Sequence, residues 1–191
     1  FEALSVRPQD SSVRLQLVND AQRLADRIQE TDANLESLSE QLPEEIDGRV
    51  KRVNELLKAI AETNREIQRA EATGAFANEP IDRSNALLTE LSKLVKVDVT
   101  EDQHRVRRVT LNGEILVSGD RASTVRVSDT RPEALDIVCD GAVHEVVPAD
   151  GEIGTLLRFR AEVIPAIREE LDQFARGFMR LVNGIHSEGI G

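Results

Sequence analysis

Apolar residues recur along residues 13–72 in steps of four and three: Leu17, Ala21, Leu24, Ile28, Leu35, Leu38 and Leu42, with Thr31 filling one position. Asp, Glu, Arg and Gln occupy the other faces. The pattern predicts a very long helix with one narrow heptad stripe. A second seam follows through Ile46, Val50, Val53, Leu57, Ile60, Asn64 and Ile67. Between the two seams, Leu42, Ile46 and Val50 step by four twice, an insertion that locally unwinds a left-handed supercoil. Pro43 falls at this joint, removes one backbone hydrogen bond and predicts a kink or a split. A helix of this length with a stripe this narrow needs partner helices.

The punctuation around the long helix is equally specific. Phe1 to Gln9 contains Pro8 and leads into Asp10-Ser11-Ser12, a cluster suited to N-capping. Thr73-Gly74-Ala75 supplies a stop, because Gly readily takes the left-handed cap. Pro80 reads as the first residue of a second helix, with Ile81, Leu87, Leu88, Leu91, Leu94 and Val95 on one side, folding back antiparallel on the first.

At Lys96 the period becomes two-fold. Val97 and Val99 alternate with Asp98 and Thr100. Asn112-Gly113 and Asp140-Gly141 each lie between β-type segments, the strongest short hairpin signal. Residues 97–149 read as a small antiparallel β unit of roughly five or six short strands. Asp150-Gly151-Glu152 then opens a last helix through Ile153, Leu157, Arg160, Ile164, Ile167, Leu171, Phe174, Phe178, Leu181 and Ile185. Pro165 inside it predicts a kink near Ala161, whose carbonyl loses its donor.

The fold class is therefore mainly α with a β insert (α+β): an elongated antiparallel helical bundle or coiled coil carrying a small antiparallel β unit. The expected division is residues 1–96 for the long rod and short return helix, 97–149 for the β insert and 150–191 for the returning helix. Stripes this narrow imply burial within the subunit, leaving the charged outer faces for adjustable polar contacts with neighbours.

Composition removes several classes of function. The chain has 191 residues and a formal net charge of -11, which argues against a general affinity for nucleic acid or anionic lipid. It has no Trp, no Tyr and five Phe, too few aromatics for base or sugar stacking. A single cysteine, Cys139, cannot form an internal disulfide. No apolar run approaches the roughly 20 residues needed to span a bilayer. Phe1 in place of Met suggests a fragment or processed product.

Candidate chemistry is thin. His104, His144 and His186 lack ligand-spaced carboxylates or Cys and read as surface or turn residues. Cys139 has no basic neighbour to lower its pKa and reads as an inert, partly buried thiol. Glu44-Glu45 and Glu169-Glu170 read as solvated helix faces rather than paired acids. His104-Arg105-Val106-Arg107-Arg108 is the one basic cluster, read as a strand with Arg105 and Arg107 facing outward and Val106 inward. It would serve as a solvated edge or as a contact for an acidic partner surface. No residue is assigned as catalytic, cofactor-binding or metal-ligating, and the chain is not read as an enzyme.

Three stretches together resemble the helical domain of the flagellar hook-associated protein 1 family. Pro80-Ile81-Asp82-Arg83-Ser84-Asn85, with the leucines after it and the Val97-Asp98-Val99 strand, resembles the family's Leu-Leu-Asp-Gln-Arg-Asp helix and Val-x-Val strand. Gly154-Thr155-Leu156-Leu157-Arg158-Phe159-Arg160, followed by Pro165, is similar to its Gly-Gly-Leu-Leu-x-Phe-Arg segment. Asn183-Gly184-Ile185-His186-Ser187-Glu188-Gly189 resembles its Asn-x-Gln-His-x-x-Gly ending. Departures are Ser84-Asn85 in place of a charged pair and Ile185 in place of Gln. The long helix also resembles the family's Asn- and Ile-rich helix at Val53-Asn54-Glu55-Leu56 and Ile60-Ala61-Glu62-Thr63-Asn64.

The resemblance implies a structural component of the bacterial flagellum in the junction ring between hook and filament. It implies export by the flagellar type III apparatus without a cleaved signal peptide, and an extracellular place in the flagellum. Implied partners are other copies of itself, the hook protein, the next junction protein and an export chaperone, with no nucleic acid, membrane or cofactor. The fragment alone is expected to be monomeric, since the family's terminal assembly segments are missing from it. The alternatives are another axial subunit, flagellin-like or a second junction protein, and a cytoplasmic coiled-coil adaptor or sensor.

Overall fold

A computed structural model describes residues 11–188, so the N-capping cluster at Asp10 and the end of the last motif at Gly189 lie outside the described residues. The long heptad region forms one helix, α1 (Ser11–Thr73), continuous through Pro43. Proline removes a single donor, for the Ser39 carbonyl, and the turns on either side keep their own ladder. The second seam is buried throughout, from Leu42, Ile46, Val50 and Val53 to Leu57, Ile60, Asn64 and Ile67. Leu56, Ala61 and Thr63 are buried beside it, so the stripe here is wider than a heptad seam.

The chain divides into two compact units, one reaching to Glu40 and resuming at Ile164, the other Gln41–Val163. In the first unit the seam is only half covered. Leu17, Ala21, Leu24, Ile28 and Leu35 are partly buried, while Thr31 is exposed and donates to the Arg27 carbonyl at 2.8 Å. On α4 (Ile164–Glu188), Leu171 and Phe178 are partly buried, yet Ile167, Phe174 and Leu181 are 39%, 54% and 54% exposed. These three repeat every seventh position and form an open second stripe. Within these residues, then, neither stripe of this unit is fully covered.

The second unit holds the core and the β insert. Helix α2 (Asn78–Leu94) begins two residues before Pro80, because a proline in the first turn has no bonded N–H to lose. Seven strands follow, against the five or six expected, and they form two antiparallel sheets. Sheet one is β1 (Asp98–Glu101), β2 (Arg107–Leu111), β3 (Glu114–Ser118) and β4 (Arg121–Ala122). Sheet two is β5 (Thr124–Val127), β6 (Leu135–Cys139) and β7 (Ala142–Val146). The two-residue β4 is too short to leave a periodic signal. Both predicted hairpin turns form, with φ of 49° and 90° at Asn112-Gly113 and 47° and 86° at Asp140-Gly141. Between the sheets, Ser123 ties itself to β3, its N–H donating to the Leu116 carbonyl at 2.8 Å and its hydroxyl to Ile115 at 2.7 Å.

The return begins at α3 (Gly151–Arg158). Gly151 has φ +92°, and a Cβ there would lie 2.8 Å from the Leu94 carbonyl oxygen. A Cβ on Gly154 would lie 2.8 Å from the Pro148 carbonyl oxygen. Both glycines thus let the helix start pack directly on backbone. The disruption predicted at Ala161 takes the form of a π-helical turn, Phe159–Val163, which leads into α4.

Candidate functional site

What positions the β insert is a row of polar side chains on α1. Asn64 is fully buried at a seam position. Its Oδ1 accepts the Arg107 N–H at 3.0 Å, while its Nδ2 donates to the Arg107 carbonyl at 2.7 Å and the Gly119 carbonyl at 2.8 Å. Asn54 treats the other sheet in the same way. Its Oδ1 accepts the Val125 N–H at 2.8 Å, and its Nδ2 donates to the Val125 carbonyl at 2.7 Å and to Val50 at 3.1 Å. Each carboxamide offers one donor and one acceptor to a single residue, as a neighbouring strand would. One asparagine therefore holds each sheet.

Charged pairs brace the helices around these clamps. Arg52 grips Glu90 of α2 with two bonds, Nε to Oε1 at 2.7 Å and Nη2 to Oε2 at 3.0 Å. This fork holds the Glu90 carboxyl below its usual range and raises Arg52. Arg83 reaches Glu66 at 2.9 Å, and Arg49 reaches Glu152 of α3 at 2.9 Å. In sheet two, Glu145 accepts from Thr130 at 2.7 Å, Ser128 at 2.9 Å and Arg131 at 3.2 Å. Those bonds, the hydroxyls first, hold its carboxyl low. Arg160, in the π-helical turn, donates to the Pro132 carbonyl, which explains an arginine at a seam position. Burial pushes its guanidinium down.

The basic cluster does not lie as its spacing suggests. Arg105 sits in a turn with φ 60°, before the strand begins. Arg107 shares the inward face with Val109 and Leu111, is only 7% exposed, and lies 3.5 Å from Glu101. Arg108 alone takes the outward position on β2. The alternation of Arg107, Val109 and Leu111 is the sequence signal for the inward arginine.

The remaining candidates stay apart from one another. His104 contacts Gln103, His144 lies 3.4 Å from Glu114, and the His186 side chain falls outside the described ones. Cys139 is free and partly buried. Glu44, Glu45, Glu169 and Glu170 are exposed, with Glu45 paired to Arg49 one turn on. Among the described residues no group of three or more His, Cys, Asp or Glu could hold a metal ion, and no helix is long and apolar enough to cross a membrane. Asn54 and Asn64 are the residues that periodicity alone underrates. A lone Asn at an apolar seam position marks Asn64, since a buried carboxamide must find partners, whereas partly exposed Asn54 lies beside the seam and leaves no such mark.

Comparison with known proteins agrees with this architecture. A solved structure, the flagellar hook junction protein FlgK from Burkholderia pseudomallei, superposes with a TM-score of 0.62 at 21% identity over 83% of this chain and 30% of that one, a likeness of fold. Flagellar hook-associated protein 1 of Salmonella typhimurium (strain LT2) is 28% identical over 200 residues, covering 99% of this chain and 36% of that protein. The Escherichia coli K12 protein of the same name is 27% identical over 99% of this chain and 37% of its own length. The chain thus spans little more than a third of these relatives. The family described as the flagellar hook-associated protein FlgK helical domain matches residues 1–191, and this chain belongs to it.

Proposed function

We propose that this chain is the helical part of a subunit that joins the flagellar hook to the filament. The observation that carries the reading is the family match over residues 1–191. The asparagine-clamped geometry supports it, because a junction subunit must keep its shape under load. Two sheets are each tied to one helix by paired backbone bonds, and α2 and α3 are braced to it by ion pairs. The role is structural rather than enzymatic.

In this reading, residues 1–96 and 150–191 form the helical stem and 97–149 the outward β unit. The full-length subunit is exported through the flagellar type III apparatus without a cleaved signal peptide, guided by a chaperone, and acts outside the cell. It contacts copies of itself in a ring, the hook protein below and the next junction protein above.

Deleting the parent gene in its native bacterium and viewing cells by electron microscopy tests the proposal. The expected result is hooks without filaments, with flagellin monomers released into the medium and filaments restored by the intact gene. Normal filaments and motility would overturn it and favour a cytoplasmic coiled-coil module instead.

A further inference from the structure

Along an antiparallel strand, residues bond the neighbour on one side and the neighbour on the other in alternation. Asn54 takes both the N–H and the carbonyl of Val125, so that residue faces away from β6. Alternation then gives Val138 and Asp136 to β5, and leaves Leu135, Ile137 and Cys139 to bond β7. Their partners Val146, His144 and Ala142 are the bonded residues of β7, so Val143 and Glu145 turn their N–H and carbonyl groups to the open edge. The Val147 carbonyl keeps that parity, and Asn112 caps it at 2.9 Å. Among the described residues nothing caps the outward backbone of Val143 or Glu145. Sheet one has an open edge by the same logic. Asn64 takes the Arg107 pair, so Arg108 and Thr110 bond β1 through Thr100 and Asp98, and Val99 and Glu101 face out.

We propose that β7 of one copy takes β1 of a second copy as an added antiparallel strand, with Val99 opposite Val143. A bare edge of alternating donors and acceptors is matched by an extended strand, and β1 is one that this chain itself offers, exposed along its whole length. Neither edge carries the usual guards, since no Lys or Pro lies in β1 or β7. The Glu145 carboxylate is tied back to Thr130, Ser128 and Arg131, and Glu101 is turned toward Arg107. The register follows from the side chains. It sets the half-exposed valines, 42% at Val99 and 51% at Val143, side by side, and Asp98 opposite the ring of His144. With Val99 opposite Glu145 instead, each valine would face a carboxylate. Because β1 and β7 are different strands, the contact is heterologous and each pair of copies keeps one free edge of each kind for the next. So short a pairing buries less than the about 1,000 Å² of a stable interface, so it is weak between free chains and strengthens where copies are held side by side. The pairing is read from the two strands and tested on the chain itself, apart from the junction reading.

Cross-linking traps such a weak pairing. Two chains are made in a Cys139→Ser background, one with Val99→Cys and one with Val143→Cys, and mixed in equal amounts in a glutathione redox buffer. Directly opposed residues of an antiparallel pair stand about 5.5 Å apart or less at Cα, within disulfide reach. The expected result is a mixed dimer about fivefold more abundant than the two like dimers together, because only that combination is brought into register. A mixed dimer no more abundant than the like dimers together is random coupling and would overturn the proposal. Glu145→Pro on the Val143→Cys chain removes an outward N–H and no bond to β6, and should abolish the excess. Glu145→Gln keeps that N–H and should keep the excess. An excess that survives the proline in a chain still folded by its thermal melt would overturn the pairing as well. If the proline variant does not fold, the first mixture decides alone.

Discussion

Asn64 closes a hydrogen-bonded ring on Arg107, accepting its N–H at 3.0 Å and donating to its carbonyl at 2.7 Å. The relationship joins residues 43 apart in sequence and involves no atom of the arginine side chain. It therefore fixes where β2 lies along α1 by geometry rather than by apolar contact, which alone would tolerate sliding. Asn54 repeats the arrangement on Val125, so each sheet has its own anchor.

The two anchors differ in burial, and that sets the size of the expected effects. Asn64→Ala strands the Arg107 N–H and carbonyl in a buried site and also loses the part-buried bond to the Gly119 carbonyl, a loss of about 3 kcal/mol. Asn54 is partly exposed, so water can replace its carboxamide, and Asn54→Ala should cost about 1 kcal/mol. Urea unfolding of the two variants checks the order. Equal losses would show that the ring on Arg107 adds nothing beyond a surface hydrogen bond.

Two helical glycines should respond to alanine with opposite signs. At Gly154 the new methyl would meet the Pro148 carbonyl oxygen at 2.8 Å, backbone that cannot step aside cheaply. Gly154→Ala should destabilise by about 2 kcal/mol. Around Gly48 nothing lies within 4 Å, and Gly48→Ala should stabilise α1 by about 1 kcal/mol through helix propensity. Thermal melts of both variants give the signs directly.

The surface carboxyls predict a specific acid response. Glu90 and Glu145 are held below the ordinary 4.5, Glu90 by the Arg52 fork and Glu145 by the Thr130 and Ser128 hydroxyls and Arg131. A carboxyl with a depressed folded pKa contributes stability above its unfolded value and loses it as pH falls through the folded one. Glu90→Gln and Glu145→Gln should therefore lower Tm at pH 7, with the gap to the native chain narrowing as pH falls below 4.5 and through the depressed folded values. A gap constant across that range would mean the two carboxyls act only by their shape.

These features divide by how local their cause is. The heptad steps and the Asn112-Gly113 and Asp140-Gly141 turns are legible in sequence, because spacing and tolerance of positive φ act within a few residues. The partition into two sheets is not, since it depends on the two-residue β4 and on Ser123, which bonds residues seven and eight positions back. The clamping role of Asn64 is half legible: the seam marks it as inward-facing, but its partner lies in another element. On α4 the open stripe merges with the buried one into a single run of threes and fours, and only the structure separates Ile167, Phe174 and Leu181 from Leu171 and Phe178.

Arg107 shows how far backbone and side chain can be uncoupled. Its backbone carries the Asn64 ring, while its guanidinium is buried, with Nη1 lacking an acceptor among the described residues and Nε 3.5 Å from half-exposed Glu101. A buried cation with one long ion pair and an unpaired N–H contributes little net stability, and removing it frees Glu101 to solvent. Arg107→Met keeps the length and the apolar stem and should be neutral or stabilising by about 1 kcal/mol. Arg107→Glu puts a carboxylate in the same buried place beside Glu101 and should cost more than about 3 kcal/mol. Urea midpoints for the pair decide it: a Met variant as damaged as the Glu variant would show that the guanidinium, and not only the backbone it rides on, holds β2 to α1.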